Sequence, residues 1–145
     1  MGKWRSCLPL SRRFSLVIRT KEIHMKSIEE ALATFEKCAT IQAQTFETGD
    51  YRKGNKYFDK LMKSIVFLYE QKHLIDLEPF LHHQNVGVRS TAAFALLPVI
   101  EEKSKTVLQE IADNDYGIHS LNAERTLLRW NNNEIIFPYQ AGWIW

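Results

Sequence analysis

The stretch from Leu74 to Leu97, LIDLEPFLHHQNVGVRSTAAFALL, constrains the fold more than any other part of the chain. Leu74, Leu77, Phe80 and Leu81 recur at spacings of three and four, which places them on one side of a helix. Val88, Ala92 and Leu96, with the smaller Ala93 and Ala95, mark a second helix. The alanines allow the two to approach closely. Between them lies the polar run HHQNVG, whose Gly87 suits a tight turn. The pattern predicts a short helix, a turn and a second helix, with Arg89 at the start of the latter.

A related pattern returns about thirty residues later, a period typical of repeat architectures. At that offset Leu77 aligns with Val107, Leu81 with Ile111, Gly87 with Gly117 and Val88 with Ile118. Asn85 aligns with Asp115, Ser90 with Ser120, Ala93 with Ala123 and Leu97 with Leu127. Ala92 and Phe94 break the register, aligning with Asn122 and Glu124.

Val88-Arg89, Ala92-Ala93 and Leu96-Leu97 together resemble the second half of a HEAT-type helical repeat. The resemblance spans roughly Leu74 to Trp130. It implies an all-α fold, a short right-handed HEAT-like α-solenoid of about six helices. HEAT repeats commonly carry an Asp six residues before the Arg, where this chain has His83. The second copy keeps the acid as Asp113 but has His119 in place of the Arg. Neither copy therefore holds the complete polar pair. The layout also resembles small bacterial HEAT-like domains, some of them immunity proteins encoded beside toxins.

The expected organisation has three parts. Residues 1–24 read as a basic extension, disordered or preceding the true start at Met25; a basic arm for membrane or nucleic acid is the rival reading. Residues 25–134 form the helical domain, and 135–145 an aromatic tail. Ser27 and Asp50 are placed to cap two long helices, the first ending near Gly49. In the second, Phe58, Leu61, Met62, Ile65, Leu68 and Tyr69 form an apolar stripe, with Lys56, Lys60 and Lys63 mainly off it, read as a solvated face flanked by acids, with an RNA-binding face as the rival reading. Asp76 is expected to cap the third helix, keeping Pro79 in its first turn. Pro98, late in the next helix, is expected to kink or end it, Ser104 caps the one after, and Asp115 opens the last, which Asn131-Asn132-Asn133 stops. Ile135, Ile136, Phe137, Tyr139, Trp143, Ile144 and Trp145 are too apolar for a solvated tail. The tail is expected to fold over the last helices; a partner-binding patch is the alternative.

Charge is unevenly spread. Residues 1–24 hold six basic residues and one acid, leaving thirteen basic and sixteen acidic residues from Met25 onward, a net of −3. This weighs against nucleic acid as the main partner of the folded part. Cys7 and Cys38 form no ligand or redox spacing, and a reduced, cytoplasmic setting is expected. The five histidines fall in no zinc pattern, the six glycines form no phosphate loop, and no Ser, Thr or Cys sits in a nucleophile motif. The sequence thus predicts no catalytic, cofactor or metal site and no membrane span.

What remains is surface. The turns joining the helices of each repeat should line one edge, with His82, His83 and Asn85 in the first copy and Asp113, Asn114, Asp115 and Tyr116 in the second. Asp113, Asp115 and Tyr116 are the candidate partner-binding residues, an acidic rim with an aromatic anchor suited to a basic protein. Helix capping is the competing role for Asn85 and Asp115. The expected function is a non-enzymatic protein-binding module. The looser resemblance implies an immunity protein that neutralises a basic toxin domain encoded nearby. A nucleic-acid-binding or base-processing HEAT-like protein is the alternative.

Overall fold

The computed structural model describes residues 25–143. Among these the chain is all-helical, with five α-helices, one 3-10 helix and no strand. The expectations for residues 1–24, Ile144 and Trp145 lie outside the described residues. The chain divides into two compact units, one formed by residues up to His73 together with the segment from Ile136, the other by Leu74–Ile135. The single domain expected over residues 25–134 is corrected accordingly.

The first unit contains α1 (Ile28–Thr48) and α2 (Tyr51–Glu70). The Glu30 N–H donates to Ser27 Oγ at 3.0 Å and the Lys53 N–H to Asp50 Oδ1 at 3.2 Å, so both expected caps form. Gly49 closes α1 at φ 76°, a left-handed conformation that favours glycine. Only Gly49 and Asp50 separate the helices, which therefore run back against each other. Ala31, Phe35, Cys38, Ala39 and Ala43 of α1 are buried, as are Leu61, Met62, Ile65, Val66 and Leu68 of α2.

Two members of the α2 stripe, Phe58 and Tyr69, stay at its margin, and there the tail docks. Trp143 stacks on Phe58, centroids 5.9 Å apart. Tyr139 lies parallel to Tyr69 at 3.7 Å and stacks on Phe137 at 5.8 Å. Phe137 and Trp143 are buried. The expectation that the tail covers the last helices is thus corrected: its rings stack on α2, where aromatic side chains offer flat partners.

Burial pushes Tyr139 up to about 12, with the neighbouring Tyr69 adding to the effect. The raised folded-state pKa means that its stabilising contribution is complete below the unfolded value of about 10 and is lost as pH rises toward about 12. A phenolate absorbance titration is expected to show one tyrosine ionising near pH 12, absent in Tyr139→Phe. The melting temperature of the parent should fall more steeply over that pH window than that of the variant.

The second unit contains the 3-10 helix Leu74–His82, α3 (Val86–Leu96), α4 (Glu101–Asp113) and α5 (Ile118–Asn131), each packed on the next. Asp76 lies inside the 3-10 helix rather than capping an α-helix. Pro79 is also inside; it lacks an N–H donor, which an α-helical interior would require. Asn85 caps α3, accepting from the N–H groups of Gly87 at 2.8 Å and Val88 at 3.3 Å. Pro98 follows the end of α3, as expected.

Two other expected caps are corrected. α4 begins at Glu101, so Ser104 lies within it, fully buried, its hydroxyl without a partner among the described residues. Glu101 and Glu102 occupy the first turn, where carboxylates complement the helix dipole and the helix needs no hydroxyl cap. α5 has Gly117 at its N-cap, so Asp115 lies in the preceding turn.

Some positions related by the thirty-residue offset are alike in burial and others are not. Leu81 and Ile111 are both buried, and Ala93 and Ala123 are both 0 % exposed. Val88, by contrast, is fully buried whereas Ile118, thirty residues on, is exposed. Leu121 and Leu128 of α5 are exposed as well.

Candidate functional site

The second unit brings its two inter-helix turns into one polar cluster, beginning from Arg89. Its Nη1 donates to the carbonyl oxygens of His83 at 2.8 Å and Gln84 at 3.1 Å. His83 thus meets the arginine through its backbone carbonyl. His83 Nδ1 accepts from the Asn85 N–H at 3.0 Å, so the first turn is tied at both ends. The same guanidinium lies over the Tyr116 ring, 5.6 Å from its centroid, and joins the second turn to the first.

The second turn is held by Ser120. Its hydroxyl accepts from the Tyr116 N–H at 2.9 Å and donates to the Asn114 carbonyl at 2.6 Å. Gly117, at φ 62°, lets the chain reverse into α5. Tyr116 Oη donates to Glu110 Oε2 at 3.4 Å. Asn114 Nδ2 donates to the Glu110 carbonyl at 2.6 Å and its carboxylate at 3.1 Å. Gln109 Nε2 donates to Asp113 Oδ1 at 2.9 Å.

Asp113, Asp115 and Tyr116 therefore share one exposed turn, and the structure adds Glu110 and Arg89 to them. Sequence reasoning passed over Glu110, although it stands four residues before Asn114, a spacing that brings helical side chains together. The contact between Arg89 and Tyr116 has no local signature, because it joins residues far apart in sequence. His82 is exposed, and Asn85 is occupied in capping.

Glu110 and Asp113 occupy the last turn of α4, Asp115 follows it, and no basic residue stands in that turn. The C-terminal end of a helix carries partial negative charge, so carboxylates there oppose the dipole. The whole unit is acidic, with five basic residues against nine acidic ones between 74 and 135, a net of −4.

No cluster of three or more His, Cys, Asp or Glu side chains placed to hold a metal occurs among the described residues. No helix among them is long and apolar enough to cross a membrane. Comparison with protein-family models, with curated proteins and with solved structures finds no match to this chain.

Proposed function

We propose that this chain is a non-catalytic protein-binding module that presents the Asp113–Tyr116 turn to a basic protein. The observation that carries the reading is the placement of Glu110 and Asp113 at the wrong end of α4 for the helix dipole, beside the exposed Asp115. Carboxylates set against local stability are what a binding surface selects, since departures from folding rules collect at functional sites. Tyr116, 36 % exposed and held by Arg89 and Glu110, supplies a pre-positioned aromatic anchor.

In this proposal the 74–135 unit is a pair of HEAT-like repeats, supported by the paired burial of Leu81 with Ile111 and Ala93 with Ala123. The finer form of the proposal is an immunity protein for a nearby-encoded toxin domain. A nuclease toxin is basic because it binds phosphates, and an acidic edge would be steered toward it.

Co-expression with such a toxin domain in a susceptible cell tests both levels. The expected result is protection by the parent and loss of protection by Asp113→Lys combined with Asp115→Lys. Asp113→Lys places a cation at the C-terminus of α4 and Asp115→Lys one just before the N-terminus of α5, so their effects on the helix dipoles oppose and the variant should melt close to the parent. Loss of binding is thereby separated from loss of folding. Protection that survives the double substitution would remove the edge. Absence of both protection and a co-purifying protein would reject the immunity role.

A further inference from the structure

The net charge of the folded part conceals a segregation. Residues 25–73 carry eight basic and seven acidic residues, a net of +1, whereas residues 74–143 carry five basic and nine acidic, a net of −4. Within the first unit the cations concentrate on α2, as Arg52, Lys53, Lys56, Lys60 and Lys63.

At about 100° per residue, these five fall within one arc of about 100° on the helix. Leu61, Ile65 and Leu68 lie on the other side of the helix, and Phe58 and Tyr69, which meet the tail, lie roughly opposite the arc. Arg52, Lys53, Lys56 and Lys60 are exposed and Lys63 is half-buried. The row runs about 16 Å along the helix axis at 1.5 Å per residue. The single acid between 52 and 63 is Asp59, at the border of the arc.

Aromatic rings adjoin the row. Lys60 Nζ lies 5.0 Å and Lys56 Nζ 5.7 Å from the centroid of Tyr57, and Arg52 Cζ lies 5.9 Å from that of Tyr51. The row carries no aliphatic side chain to enter a bilayer, so a membrane surface is the poorer match. A linear array of cations beside tyrosines suits a nucleic-acid strand, whose phosphates recur at short intervals and whose bases stack on rings.

We propose that the solvent face of α2, from Arg52 to Lys63, binds the phosphate backbone of a nucleic acid. This surface lies in the first unit and does not depend on the proposed protein-binding edge. The test uses the full chain and fluorescence anisotropy with a labelled 20-nucleotide single-stranded RNA and a labelled 20-base-pair DNA duplex. Five phosphate contacts predict a slope of log affinity against log salt of about −3.5 for the single strand and about −4.5 for the duplex. The preferred form is read from the tighter of the two.

Lys56→Glu combined with Lys60→Glu should weaken RNA binding at least ten-fold at low salt and flatten its slope by about 1.4. Both residues are exposed, so the variant's thermal melt should match the parent's. Asp113→Lys with Asp115→Lys should leave nucleic-acid binding equal or tighter, which separates this surface from the acidic edge. Unchanged binding in the Lys56/Lys60 variant would overturn the proposal and place the contact elsewhere, the basic residues before Met25 included. So would binding to anionic phosphatidylserine vesicles or to poly-glutamate that equals binding to nucleic acid, or no binding to either nucleic acid at 50 mM salt.

Discussion

Ala93→Glu is expected to abolish cooperative folding of the 74–135 unit, at a cost of about 3–5 kcal/mol. Ala93 is 0 % exposed, and its neighbours on α3, Val88, Ala92 and Leu96, are also fully buried. A glutamate there must lose its hydration with no apolar-core partner to replace it. It must also fit where a methyl group allows close helix contact, so overpacking adds to the charge penalty. Ser90, half-buried on the same helix, provides the control. Ser90→Glu should keep a parent-like melt, because its longer side chain can reach solvent. Parent-like melting of both variants would show that the register of α3 is wrong.

Trp143→Ala should produce the second large effect, a loss of about 3–5 kcal/mol in the stability of the α1–α2 unit. Trp143 is 6 % exposed and stacks on Phe58, so truncation removes a large buried surface and leaves a cavity beside α2. Leu128→Ala, by contrast, removes a side chain that is 60 % exposed and should shift stability by no more than about 0.5 kcal/mol. Chemical denaturation of the three proteins checks the pair. Equal midpoints for Trp143→Ala and the parent would show that the tail contributes nothing to the first unit.

Several local features could be read directly from neighbouring residues. Ser27, Asp50 and Asn85 cap the helices that follow them, because the accepting oxygen lies two or three residues from its donor. Gly49 and Pro98 end helices through backbone geometry intrinsic to those residues. Ser104 and Asp115 looked equally suited to capping, yet α4 starts earlier and α5 later than their positions suggest. Residue type alone did not separate the two groups. For α4 the choice fell to two glutamates in the first turn, and for α5 to a glycine and the hydroxyl of Ser120.

The candidate edge was legible to the same extent. The thirty-residue offset placed Asp113, Asp115 and Tyr116 in a turn equivalent to that of His83 and Asn85. It did not show that Arg89 would take two backbone carbonyls and spread over Tyr116. That arrangement depends on the distance between two turns, which no periodicity contains.

By itself, then, the sequence determined that the described chain is helical, where most helices stop, and which alanines and leucines face inward. These follow from hydrophobic period and from bonds spanning a few residues. Tertiary structure decided that the chain divides at His73 and that its final segment joins the first unit. An apolar tail is driven to leave water, but that drive is non-directional and names no destination. The choice fell to Phe58 and Tyr69, whose rings match Trp143 and Tyr139 in shape and in orientation.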